Sequence, residues 1–191
     1  MVTSANTISK KQSRLFGFLI FAGVFLIIIA LMAVIKVTPY TSYKDPAMGF
    51  SIKYPSYWKL IEHPDGAAVV AFATPQQTAM DTYADSVNIT FQNLTPKTMS
   101  LSQFSQLAMN QLTGTFKGEV EVVESEPTSM AGRPAYRFIY VFTPKEAPLK
   151  FMHIFVVTNT RGYIFTYSST QKDFDVFLGE VNAMVKSFAI L

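Results

Sequence analysis

The sequence predicts an α+β domain carried behind a membrane anchor, on three observations. Residues 15–35, LFGFLIFAGVFLIIIALMAVI, run for 21 positions without one charged or polar side chain. Beyond them come six or seven runs of strand length, β-branched and aromatic, most alternating with polar residues. Two stretches with apolar residues at helical spacing interrupt and close that series. The fold class is therefore a central antiparallel sheet flanked by two amphipathic helices, preceded by one transmembrane helix.

A helix of 21 residues covers roughly 30 Å, about one hydrocarbon core. The run exceeds the h-region of about 7–15 residues found in signal peptides. It shows no small-x-small cleavage pattern and ends directly at Lys36. An uncleaved anchor, Leu15 to Ile35, fits better than the alternatives, a cleaved signal peptide or a buried core helix. Lys10, Lys11 and Arg14 precede it, with no acid before the helix. By the positive-inside rule the N-terminus is cytoplasmic and the domain extracytoplasmic (periplasmic, extracellular or lumenal). Residues 1–14 form a disordered polar tail, 36–48 a short linker, and 49–191 the domain.

Within the domain, Phe50, Ile52 and Tyr54 alternate as a half-buried strand ending at Pro55. Residues 67–73, AAVVAFA, read as a more buried strand after Asp65-Gly66. In 86–94 Val87, Ile89 and Phe91 alternate with Asn88, Thr90 and Gln92, and a polar loop precedes them. Ser100 and Gln103 fit a capping box. Leu101, Phe104, Leu107, Ala108 and Leu112 then mark one helix face, ending near Gly114 or Gly118. Residues 119–125 form the next strand, 135–142 and 150–158 two more, and Asn159 to Gly162 a hairpin turn into 163–168. A final helix from about Lys172, with Thr170 as N-cap, lines up Phe174, Phe177, Val181, Met184 and Phe188.

Charge narrows the function classes. Of 16 Lys and Arg, four (Lys10, Lys11, Arg14, Lys36) flank the anchor; the remaining twelve face all 13 acids, leaving the domain near −1. A near-neutral domain carries no electrostatic footprint for nucleic acid. The absence of cysteine excludes disulfides, thiolate metal sites, cysteine nucleophiles and cysteine-linked lipids. There is no G-x-S-x-G, H-E-x-x-H, P-loop or dinucleotide fingerprint, so no enzyme chemistry is expected.

Several short strings in fixed order are similar to the PsbP-like family. They are Gly49-Phe50-Ser51-Ile52, Tyr54-Pro55 followed by Trp58, Val87-Asn88-Ile89, Gly132 with Pro134-Ala135-Tyr136, and Ser187-Phe188 in the last helix. The resemblance runs from about Tyr43 to Ala189. It implies an αβα sandwich. It also implies action by protein contact, since the family includes extrinsic subunits of oxygen-evolving photosystem II that help retain calcium, chloride and manganese. A helical anchor in place of a lipidated cysteine departs from the cyanobacterial pattern.

Candidate site residues are few. Asp81 and Asp85 form a loop carboxylate pair with oxygen ligands suited to calcium or manganese, and His63 between Glu62 and Asp65 is a third candidate ligand. A solvated turn is the plainer reading of all three. His153 stands mid-strand, on the face opposite Met152 and Ile154. Glu119, Glu121, Glu124 and Glu126 would form an acidic stripe only if a bulge corrected the parity shift at Val122-Val123. Trp58 reads as a core or domain-edge anchor. The leading expectation is a non-catalytic, membrane-anchored module that binds a protein of a membrane complex. A metal- or lipid-binding module is the alternative, and a hydrolase a weaker one.

Overall fold

Residues 149–157 and 161–170 are aromatic and β-branched on both faces, so a sheet that buries them must be covered on both sides. They become the middle strands of the fold. A computed structural model of the chain describes residues 38–191 except 65, 76–82, 117 and 145–146. The segments expected to form the polar tail (1–14) and the anchor (15–35) lie outside the described residues. Among the described residues no helix is long and apolar enough to cross a membrane.

In chain order the elements are β1 (Tyr40–Asp45), β2 (Phe50–Pro55), β3 (Lys59–Glu62), β4 (Ala68–Ala73), β5 (Ser86–Asn93), α1 (Leu101–Thr115), β6 (Val120–Met130), β7 (Arg133–Phe142), β8 (Leu149–Val157), β9 (Arg161–Thr170), α2 (Leu178–Ser187) and β10 (Ala189–Ile190). Seven strands form one antiparallel sheet in the order β3-β4-β5-β9-β8-β7-β6. The other three form a small antiparallel sheet, β1-β2-β10. Residues Pro39–Leu191 make one compact unit.

Each face of the large sheet has its own core. On one, Val70, Val87, Ile89, Ile154, Phe165 and Tyr167 meet the small sheet and α2, which bring Phe50, Ile52, Val181 and Met184. On the other, Phe138, Tyr140 and Phe155 meet Phe104 of α1. The α+β sandwich with seven main strands and two helices is thus observed.

Three expectations change. The stretch expected to be a linker supplies β1, because Tyr40 to Asp45 pairs residue for residue with β2 and Tyr43 packs on Phe50 and Phe72. The last helix begins at Leu178, not Lys172. Thr170 instead closes a turn, accepting from Asp173 N at 3.1 Å, and Phe174 packs on Tyr167 from that turn. The strand expected over 119–125 runs on to Met130, because it is an edge strand and Pro127 therefore costs no ladder bond on its free side.

Candidate functional site

Helix α1 lies in the connection from β5 to the far edge strand β6 and packs on β8 and β7. Ser100 starts it with the expected capping box: its hydroxyl accepts from Gln103 N at 3.2 Å, and the Gln103 side chain accepts from Ser100 N at 2.9 Å.

The helix is pinned mainly at its N-terminal half. Phe104 is buried against Phe155, edge to face at 6.1 Å, and sits directly over Gly162. A Cβ at residue 162 would lie 2.6 Å from Phe104 Cζ, so only glycine admits this approach. A single narrow helix leaves gaps beside it. One groove of about 350 Å³ separates its first turns from Pro127, Pro134 and Tyr136. A second cleft of about 290 Å³ lies under its C-terminal half, between Ala108, Leu112, Phe138, Phe155 and Ile164, with His153 on the floor.

His153 is tied into the sheet through both ring nitrogens. Nε2 lies 3.0 Å from the Tyr140 hydroxyl and Nδ1 lies 3.0 Å from the Thr166 hydroxyl. A neutral imidazole has one N–H and one lone pair, and either tautomer matches two hydroxyls that can each donate or accept. Burial lowers the imidazole pKa to about 4, and burial, with the nearby Tyr83, pushes the Tyr140 phenol up. Both groups are uncharged near neutral pH. The rings of Tyr140, Phe151 and Phe155 lie within 17° of parallel to the His153 ring. Beside this group, Asn88 Nδ2 donates to Ser86, Ser86 contacts Ser168 at 3.1 Å, and Tyr83 hydrogen-bonds Ser168.

At the C-terminal end of α1 the apolar surface reaches solvent. Phe116 packs on Phe142 at 4.8 Å, and Val120 and Val122 continue the same face of β6. Phe116 is 37% exposed, Val122 48% and Val123 55%. The register shift between Val122 and Glu124 makes Val123 the extra residue of a bulge. That bulge is the parity correction the sequence required. After it, Glu124 and Glu126 share Arg137, which donates from Nε to Glu124 and from a terminal nitrogen to Glu126, each at 2.6 Å.

The expected metal ligands stand as follows. His63 is exposed in the β3–β4 turn, at φ +50°, and donates from its backbone N to Val69. Asp85 is buried at the other end of β4, where its carbonyl accepts from Thr74 N at 2.8 Å. Val69 and Thr74 are five strand residues apart, about 17 Å, so His63 and Asp85 do not meet. Asp81 lies outside the described residues. Among the described residues no three His, Asp or Glu side chains group to hold a metal ion. Trp58 is buried edge-on against Phe177, as a core anchor should be.

An antiparallel sheet covered by one bridging helix on one face, and by a terminal helix with a small sheet on the other, defines the class: an αβα sandwich whose conspicuous surface features are grooves and apolar patches. The PsbP family profile matches residues 38–190, and the chain belongs to the PsbP family. Among solved structures, cyanobacterial PsbP (CyanoP) from Synechocystis sp. PCC 6803 is similar at TM-score 0.61 and 12% identity, covering 83% of this chain and 96% of that one. LpqN of Mycobacterium tuberculosis, involved in cell envelope biogenesis, is similar at TM-score 0.59 and 10% identity, covering 81% and 87%. The Ran-binding protein Mog1p of Saccharomyces cerevisiae is similar at 0.52 and 9%, covering 80% and 96%. At these identities the likeness is one of fold. No curated protein matches the chain.

Proposed function

We propose that this chain is a non-catalytic, single-pass membrane protein whose PsbP domain binds a protein of a membrane complex from the extracytoplasmic side, as an accessory or assembly subunit. The observation that carries the reading is the apolar corner formed by Phe116, Val122 and Val123, exposed at a free sheet edge. Exposed apolar residues grouped in this way favour a partner protein. The uncharged 21-residue run at 15–35, with basic residues before it, supports anchoring and orientation. A tether holds the domain near membrane partners at raised effective concentration, so a modest contact suffices. That a relative by fold is a Ran-binding protein agrees with binding as the role.

The chain has no cysteine, which makes the topology directly testable. Single-cysteine variants Ser4→Cys and Lys172→Cys are expressed in whole cells and treated with a membrane-impermeant maleimide. Labelling of residue 172 but not residue 4, with the protein retained in the membrane after alkaline extraction, is expected. Labelling of residue 4 alone, or release by alkali, refutes the anchored orientation.

A further inference from the structure

The cleft under the C-terminal half of α1 has the properties of a small-molecule site. It is a cleft partly open to solvent, of about 290 Å³, nearly twice the roughly 150 Å³ that an enclosed apolar cavity uses to hold benzene, so it has room for about a dozen carbon atoms. Its walls are the side chains of Ala108, Leu112, Phe138, Phe155 and Ile164, with Gln111 and Thr115 at the helix side. Among the described residues no charged side chain lines it. The polar group on the floor, His153, already directs both ring nitrogens to Tyr140 and Thr166, so it presents no unmatched donor or acceptor to a ligand. Met109 reaches both this cleft and the groove on the other side of α1. An unbranched thioether adapts its shape to what it touches. We propose that this cleft binds an uncharged, largely apolar molecule of about a dozen carbons, one alkyl chain of an amphiphile being the fitting case. Recognition is by shape and by exclusion of charge: an ion placed here would lose its hydration and meet no counter-charge. This reading stands apart from the protein contact proposed above, since Phe116, Val122 and Val123 are not among the lining residues.

The test uses residues 38–191, which contain both hydrophobic cores and the whole compact unit. The probe is 1-decanol, which forms no micelles, titrated while backbone amide shifts are followed by NMR; glucose at the same concentration is the polar control. Saturable shifts confined to residues 108–115 of α1 and to the neighbouring positions of β7, β8 and β9 are expected, with none from glucose. Gln111→Trp places a ring at the mouth from an exposed helix position and should weaken decanol binding by at least about tenfold. Ala108→Phe fills the inner wall and should do the same. Shifts that rise linearly without saturation, that scatter over the surface, or that survive Gln111→Trp unchanged would overturn the proposal, as would equal shifts from glucose.

Discussion

If Phe104 resting on Gly162 is what docks α1 on the sheet, then enlarging the glycine and truncating the ring must be coupled. Residue 162 lies outside the left-handed region, so alanine is tolerated by the backbone there. The whole cost of Gly162→Ala then comes from its Cβ, which would sit 2.6, 2.8 and 3.0 Å from three carbons of the Phe104 ring. Ordinary contact begins at 3.4 Å, so the ring must retreat by about 0.8 Å from the position where it is only 2% exposed. Overpacking of this kind costs about 1–3 kcal/mol. Phe104→Ala removes a fully buried ring and its edge-to-face contact with Phe155, at about 3–5 kcal/mol. With the ring gone, the alanine methyl meets open space. Gly162→Ala in the Phe104→Ala background should therefore cost less than about 0.5 kcal/mol, giving a coupling of about 0.5–3 kcal/mol. Urea unfolding of residues 38–191 at pH 7 reads all four corners of the cycle. At an m-value of about 2 kcal/mol per molar, Phe104→Ala lowers the midpoint by roughly 1.5–2.5 M. Additive costs, within error, would refute the docking geometry.

Other expectations follow from single sites. The imidazole of His153 titrates near 4 when folded and near 6.5 when unfolded, so below pH 6.5 the unfolded chain takes up the extra proton. Stability should be flat above pH 6.5 and fall by up to about 3 kcal/mol as pH drops to 4. Urea midpoints measured from pH 7.5 to 4 should lose that part of their slope in His153→Gln. The Ala131-Gly132 turn joins β6 to β7 with both residues left-handed, φ +55° and +66°. Ala131→Asn suits that geometry and should add about 0.5–1 kcal/mol, a rise of a few degrees in Tm by calorimetry. At Gly49, φ is +75° and an added Cβ would fall on the Arg161 guanidinium, which donates to Met48 O at 3.1 Å. Gly49→Ala should cost more than about 2 kcal/mol in the same urea assay, by combining backbone strain with loss of that tie between the β1–β2 turn and β9.

The parts of the fold legible in sequence were those specified locally. The capping box at Ser100 and Gln103, the alternation in residues 86–94 and the paired runs of β7, β8 and β9 each depend on neighbours in sequence, and each formed where expected. The Val122-Val123 step that breaks the alternation of the glutamates is where the structure places a bulge, which the sequence raised only as a condition for an acidic stripe. The second sheet was not legible. Tyr40 to Asp45, with prolines on either side, looks like a linker until Phe50 to Pro55 and the C-terminal Ala189–Ile190 are known to lie together. Site residues were harder to place for the same reason. His153 could be assigned a face by alternation, but its partners are each 13 residues away and are fixed by strand register. His63 and Asp85 read as candidate ligands from their own local surroundings, and β4 holds the two turns at its opposite ends.

The most direct measurement is purification of the tagged full-length protein from native membranes in mild detergent, in parallel with the Val122→Asp, Val123→Asp double variant, followed by quantitative mass spectrometry. Both valines are about half exposed, so the variant should keep its fold. A membrane protein recovered in stoichiometric amount with the native chain, and at least tenfold depleted with the variant, is the expected result. Recovery of the native chain alone, or equal recovery of the partner with both forms, would contradict a function exercised through this surface.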